Sequence, residues 1–216
     1  MTALDDYVLA HIDTEDPYLH RLWRATQLHL NYPRMASGHW QGRLLAMLVH
    51  MVRPRTILEI GTFTGYSTLC MAEALEPGAL LHTVEINDEQ EDFTRPWLEG
   101  SPWADRIRFH IGDALQLLRT DALPQRFDLI YIDADKRHYA DYYRAVMPRL
   151  APGGYIIADN TLWDGHVLQD KVRTSDLQTR GIMAFNDLVA SDPGVQKVIL
   201  PLRDGLTLIR KIPKET

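Results

Sequence analysis

Thr56-Ile57-Leu58-Glu59-Ile60-Gly61-Thr62-Phe63-Thr64-Gly65-Tyr66-Ser67-Thr68 is a short apolar run that ends in a glycine-punctuated turn and passes into a helical pattern, Leu69 to Leu75. That order predicts a buried strand, a loop and a helix start. Gly61 and Gly65 permit turn conformations and a close backbone approach to a ligand, while the free N–H groups of the helix start favour a negatively charged group. A dinucleotide-binding turn reads G-x-G-x-x-G, its middle glycine giving the backbone access to a pyrophosphate. Phe63 holds that position here. The turn therefore fits a cofactor with a carboxylate and no pyrophosphate, a description that S-adenosylmethionine (SAM) meets. A plain βα turn without a ligand is the alternative. Twenty residues past Gly65 the next apolar run, Leu80 to Ile86, carries an acid at its end, Glu85. A nucleotide-binding α/β fold sets a carboxylate there against ribose hydroxyls, which favours the cofactor.

Outward from this stretch, further strands are predicted at Ile107–Ile111, Phe127–Ile132 and Tyr155–Ala158, with helical patterns between them, notably Tyr139 to Leu150, closed by Pro152-Gly153-Gly154. Strands alternating with helices imply βαβ units and a parallel sheet covered on both faces. The end differs. Val198–Leu202 and Leu206–Ile209 flank Arg203-Asp204-Gly205, a hairpin signal that makes the last strand antiparallel to its neighbour. The expected fold is α/β, with a seven-stranded, mostly parallel sheet, helices on both faces and a C-terminal antiparallel hairpin. Before the sheet, Tyr18–Leu28 and Leu44–Val52 read as amphipathic helices, and the turn-rich, aromatic connector Pro33–Gly42 between them is placed over the cofactor.

With 216 residues, 45% of them hydrophobic, the chain suits one domain, 1–216, divided into an N-terminal helical cover, 1–53, and a core, 54–216. The net charge of −6 and the lack of a basic block disfavour nucleic acid and anionic membranes as partners. No apolar run approaches the ~20 residues that cross a bilayer, and the acidic start does not resemble a signal peptide, so a cytoplasmic location is expected. Cys70 is the one cysteine; it cannot form an internal disulfide and reads as a small core residue. Trp23, Trp97 and Trp103 read as packing or interface residues, and Glu89 to Asp92 as a solvated helix face.

In open parallel sheets ligands gather outside the carboxyl ends of the strands. There the chain is unusually polar. The strand ending at Ile132 runs into Asp133-Ala134-Asp135-Lys136, and that ending at Ala158 into Asp159-Asn160. If the two strands are neighbours, Asp133, Asp159 and Asn160 converge as three oxygen donors, a hard set suited to Mg2+. Either segment alone reads as a helix cap or Asx turn. Two on consecutive strands, with Lys136 beside the first, favour a shared site.

These segments together resemble a known family. The turn Glu59 to Ser67, the segments Ile132 to Lys136 and Asp159 to Trp163, and the closing Leu200 to Leu208 are similar, in this order, to the cation-dependent SAM O-methyltransferases, the group of catechol and caffeoyl-CoA O-methyltransferases. The resemblance runs from about Met35 to Lys211. It implies the Rossmann-like sheet of class I methyltransferases and methyl transfer from SAM to a hydroxyl of a catechol-like vicinal diphenol. It further implies that Glu59, Gly61 and Ser67 hold the methionine end of SAM, with Thr62 and Asp133 beside it. Glu85 would take the ribose and Asp113 and Ala114 the adenine side, while Met35 and Ser37 would close over the cofactor. Asp133, Asp159 and Asn160 are implied as ligands of a divalent cation, Lys136 as the catalytic base, and Trp163 and Asp164 as residues facing the acceptor. A homodimer is implied by the resemblance alone.

Two departures bear on the acceptor. Where plant members place an acid pair followed by Gly-Gln, this chain reads Trp40-Gln41-Gly42-Arg43. The segment Gly165 to Gly181 lacks the tyrosines that surround the acceptor in those enzymes and holds His166, Lys171, Arg173 and Arg180 instead, which favours a small catechol or an acidic diphenol over a cinnamoyl-CoA ester. Two other classes compete. A nicotinamide-dependent oxidoreductase is disfavoured by Phe63 and the terminal hairpin. A SAM-binding regulator without turnover would not need Asp133, Lys136, Asp159 and Asn160.

Overall fold

The computed structural model describes residues 3–213. Seven strands form one sheet in the order β3-β2-β1-β4-β5-β7-β6. They are β1 (Thr56–Ile60), β2 (Leu80–Glu85), β3 (Ile107–Ile111), β4 (Phe127–Ile132), β5 (Leu150–Asp159), β6 (Val195–Leu200) and β7 (Leu206–Lys211). Strands β1 to β5 pair in parallel, and β7 runs antiparallel to both β5 and β6. The sheet predicted from the alternation of strands and helices is therefore present, with its terminal hairpin.

The helices are α1 (Ala3–Ala10), α2 (Pro17–His29), α3 (His39–Val52), α4 (Tyr66–Glu73), α5 (Glu91–Glu99), α6 (Ala114–Leu117), α7 (Tyr139–Val146) and α8 (Leu177–Ser191). Because side chains alternate along a strand, neighbouring residues of β1 enter different cores. Ile57, with Leu81 and Leu129, packs against Leu45 and Val49 of α3 and Met71 of α4. Leu58 and Ile60 face Tyr139 and Val146 of α7 and Ile182 and Phe185 of α8. Each fully buried Leu, Ile or Phe contributes roughly 1.5–3 kcal/mol, so a strand covered twice is well held. A third cluster joins α2, α4 and α5 around Leu19, Leu22, Leu69 and Leu98. Cys70 lies within it, fully buried, and Trp97 and Trp103 pack against it. Among the described residues no helix is long and apolar enough to cross a membrane.

Several predicted boundaries move. The helix expected to reach Leu150 ends at Val146, and β5 starts at Leu150 instead of Tyr155. Pro152-Gly153-Gly154 interrupts the strand as a bulge: Phe127 pairs with Leu150 while Leu129 already pairs with Tyr155, and Gly153 adopts φ +77. The connector expected over Pro33–Gly42 gives up its second half to α3, which begins at His39 behind Gly38 at φ 78. Strand β6 begins at Val195 and stops at Leu200, since Pro201 has no N–H to donate.

On β2 and β3, His82 and His110 stack with ring centroids 5.3 Å apart, and His82 Nδ1 lies 3.1 Å from His110 Nε2. Burial, then the His110 and Arg108 charges, lowers the His82 pKa from 6.5 to about 4. Neutral His82 is favoured in the fold, so its contribution to stability is complete above pH 6.5 and is lost as pH falls from there through about 4. The drop in Tm between pH 7 and pH 4.5 is expected to be smaller in His82→Phe than in the wild type. Equal drops in thermal melts of the two proteins would refute this role.

Candidate active site

The carboxyl ends of β1, β2, β4 and β5 open into one cleft of about 1480 Å³. Ile132 pairs with Ala158, so β4 and β5 end side by side and the segments that follow leave the sheet together. Asp133, Lys136, Asp159 and Asn160 all line the cleft, as do Met35, Ser37, Gly61, Thr62, Ser67, Glu85, Asp113, Ala114 and Trp163. Two of the site residues implied by the resemblance do not. Glu59 is fully buried behind the turn, and Asp164 is exposed outside the cleft, its backbone N–H donating to Asp204.

Glu59 acts beneath the cleft surface. It accepts the Ser67 hydroxyl at 2.6 Å and binds the Thr68 hydroxyl as well. Burial pushes its carboxyl up to about 7, with the hydroxyls of Ser67, Thr68 and Thr83 acting in the opposite direction. Glu85 ends β2 and is 8% exposed, its two oxygens accepting N–H groups from Phe63 at 2.8 Å and Asn87 at 2.9 Å. These bonds orient the carboxylate and leave each oxygen a lone pair for a diol. They also explain the turn. Phe63 adopts φ 48, in the left-handed region, and its amide, which a dinucleotide-binding loop would turn to a pyrophosphate, is bound to Glu85.

Gly61 has a different necessity from the one read in the sequence. Its φ is +100, and a Cβ there would lie 2.0 Å from the Asp133 carbonyl oxygen. The glycine lets the ends of β1 and β4 close together; approach to a ligand is secondary. Three features of the turn suit SAM. Helix α4 has no side-chain N-cap, so its first N–H groups are open to an anionic group. Thr64 Oγ1 is buried at the cleft without a partner. Glu85 supplies acceptors for hydroxyls.

Asp133 Oδ1 receives Lys136 Nζ at 2.8 Å. Lys136 Nζ also donates to the Tyr139 hydroxyl at 2.8 Å, and that hydroxyl bonds the carbonyl oxygens of Ile132 and Asp159. Asp159 is buried. Its Oδ1 accepts the Asn160 N–H at 2.8 Å and its Oδ2 accepts Gln41 Nε2 at 2.5 Å and the Tyr131 hydroxyl at 3.0 Å. Burial, then the charge of Asp133, pushes the Asp159 carboxyl up to about 6, with Lys136 and Gln41 opposing. A buried carboxylate whose proton affinity is raised by a neighbouring acid is a place where a cation is favoured. Asn160, at φ 55, hydrogen-bonds Asp204 through its side chain, and an amide that donates there keeps its oxygen available. Among the described residues no group of three or more His, Cys, Asp or Glu side chains could hold a metal ion, so the candidate set is two carboxylates and an amide. Those donors are hard oxygens and fit Mg2+.

Several participants were not singled out in the sequence. Tyr131 and Tyr139 read as strand and helix residues, and Gln41 as part of a connector; all three are buried, Gln41 and Tyr131 on the Asp159 carboxylate and Tyr139 on Lys136. Gly181 passes so close to the lysine turn that a Cβ would lie 2.3 Å from the Lys136 carbonyl oxygen. Among the described residues, Gln178 represents the 165–181 segment in the cleft wall; His166, Lys171, Arg173 and Arg180 lie outside it.

A sequence model of the O-methyltransferase family matches residues 10–212. Caffeoyl-CoA O-methyltransferase 1 of Eucalyptus globulus is 34% identical over 185 residues, which cover 82% of this chain and 75% of that protein. The crystal structure of an O-methyltransferase from Bacillus cereus in complex with SAH superposes with a TM-score of 0.89 at 30% identity over 97% of both chains. TomG from Streptomyces achromogenes, involved in tomaymycin synthesis and solved in complex with SAM, gives 0.89 at 28% identity, covering 98% of this chain and 96% of that one. The chain belongs to the O-methyltransferase family, and its fold is that of the class I methyltransferases. It is a SAM-dependent O-methyltransferase.

Gly61→Ala is expected to cost on the order of 3 kcal/mol or more, because strained φ and a backbone clash act together. Gly78 also has positive φ, +82, but has open space around it, so Gly78→Ala is expected to cost only about 1 kcal/mol. Urea unfolding of both variants measures the difference, and equal losses would remove the clash from the account.

Proposed function

We propose that the protein transfers the methyl group of SAM to one hydroxyl of a catechol-like vicinal diphenol, with a divalent cation bound by Asp133, Asp159 and Asn160. The observation that carries this reading is the meeting of two strand-end carboxylates and an amide on the cleft, next to a buried lysine. A divalent cation in such a set supplies Lewis acidity, which favours the phenolate of a phenol whose ordinary pKa is about 10. The chain's own groups do the rest. Glu85 and the open N-terminus of α4 hold the cofactor at its ribose and carboxylate, and Ser67 stands between the cleft and Glu59.

Lys136 is the proposed base. Asp133 and Tyr139 fix Nζ from two directions, which leaves one position on the nitrogen for a proton from the acceptor. The amine accepts it only in its neutral form, in which the nitrogen carries a lone pair. Trp163, at φ 48, borders the space next to these groups and is the flat apolar side chain suited to an aromatic acceptor. Positioning accounts for most of the work, since well-oriented groups can supply up to about 7–11 kcal/mol of barrier reduction. Relatives named for caffeoyl-CoA support a diphenolic acceptor; the lack of aromatic residues in 165–181 favours a smaller one. A homodimer and a cytoplasmic location complete the proposal.

Methyl transfer from SAM to catechol is expected to stop in EDTA and return with Mg2+; transfer indifferent to chelation would reject the cation. Lys136→Ala is expected to lower turnover about 10²–10⁴-fold and leave SAM affinity within about threefold. Wild-type turnover in that variant would show that Lys136 is not the base.

A further inference from the structure

The turn that joins β6 to β7, Arg203-Asp204-Gly205, reaches back to the cleft, although the chemistry above assigns Arg203 no role. Arg203 adopts φ 48 and lines the cleft. Its Nη1 donates to the Ser37 carbonyl and, at 3.1 Å, to Gln41 Oε1. Gln41 is 2% exposed, and its Nε2 donates to Asp159 Oδ2 at 2.5 Å and lies 3.2 Å from the Tyr131 hydroxyl. A guanidinium only donates and a carboxylate ion only accepts. The side chain between them must therefore accept at one face and donate at the other. An amide does both without charge, and its two partners fix which atom is nitrogen and which is oxygen. Leucine would leave a buried carboxylate oxygen one donor short, and glutamate would set a second negative charge against Asp159.

We propose that Gln41, held in place by Arg203, is a positioning residue that fixes Asp159 for the cation and links this carboxylate to the segment carrying Ser37. The inference rests on the cation-dependent reading given above. Gln41 and Tyr131 together occupy Asp159 Oδ2, which leaves Oδ1, carrying one bond from the Asn160 N–H, as the oxygen with capacity for an ion. Without Gln41 the carboxylate is free to turn about its terminal torsion. Partners of this kind commonly alter metal affinity 10–100-fold. Arg203 acts one bond further out, through Gln41 on the acid and through the Ser37 carbonyl on the cover.

The test is a Mn2+ titration of the full chain, read from the electron paramagnetic resonance spectrum of bound and free ion, for wild type, Gln41→Leu, Arg203→Leu and the double variant. Thermal melts in EDTA establish that each is folded. Gln41→Leu is expected to weaken Mn2+ binding about tenfold or more and Arg203→Leu by a smaller factor. The double variant should match Gln41→Leu alone, because both changes act through one chain of bonds. Arg203→Leu is also expected to weaken SAM binding in EDTA severalfold by releasing Ser37. If Gln41→Leu does not fold, Gln41→Asn replaces it, since its amide falls one methylene short of Asp159. Mn2+ affinity within twofold of wild type in the Gln41 variant, or factors that multiply in the double variant, would overturn the inference alone. A wild type that binds SAM but no Mn2+ would overturn the cation-dependent reading and the inference with it.

Discussion

Parallel pairing of β4 with β5 brings Ile132 level with Ala158, so that the next residues, Asp133 just past β4 and Asp159 closing β5, stand at the same height. Neighbouring strands lie about 4.8 Å apart, close enough for two side chains leaving their ends to share a ligand. The site follows from that register. Asp133 and Asp159 are held near each other, and the charge of Asp133 adds to burial in raising the cost of charging Asp159. The surroundings answer with donors: Lys136 on Asp133, and Gln41, Tyr131 and the Asn160 amide on Asp159. A one-residue slip in the ladder would turn the acids to opposite faces and end the convergence.

Around the acids the backbone is held in conformations that residues with a Cβ seldom adopt. Tyr32, Phe63, Asn160, Trp163 and Arg203 have positive φ and border the cleft. Such positions persist where surrounding bonds over-determine them. Those bonds are visible here: Phe63 is tied through its amide to Glu85 and through its carbonyl to Thr94, while Thr161 and Leu162 donate to the carbonyls of Gly205 and Asp204. The terminal hairpin thus serves the site as well as the sheet. Its turn holds the segment after β5 from outside, and a Cβ on Gly205 would strike Leu162 at 2.5 Å.

Much of the fold could be read directly from the chain because apolar runs and turn residues are local. Thr56–Ile60 is an unbroken buried strand, and the glycines after it mark its end. The boundaries that moved were ones where a local signal met a tertiary one. Pro152-Gly153-Gly154 reads as a terminator, yet pairing with β4 carries the strand through it as a bulge. The acids at 133 and 159 were legible because two polar strand ends fell on consecutive strands, with a lysine three residues after the first. Gln41, Tyr131 and Tyr139 were not, since nothing local distinguishes a glutamine on a helix or a tyrosine in an apolar run from a packing residue. Their roles depend on partners 90, 28 and 20 residues away. The basic residues of 165–181 were misplaced for the same reason: composition cannot tell which face of a segment meets a cleft.

The sequence by itself determined the alternation of strands and helices, the terminal hairpin, the anion-favouring turn after β1 and the donor types available for a cofactor and a cation, because these depend on residue chemistry and spacings of a few residues. Only the tertiary structure decided that Glu59 lies behind the cleft, that Gly61 is required by Asp133, and that Arg203 and Gln41 connect Ser37 to Asp159. The physical reason is range. Hydrogen bonds and van der Waals contacts act over a few ångströms, and folding alone decides which distant residues come within that distance.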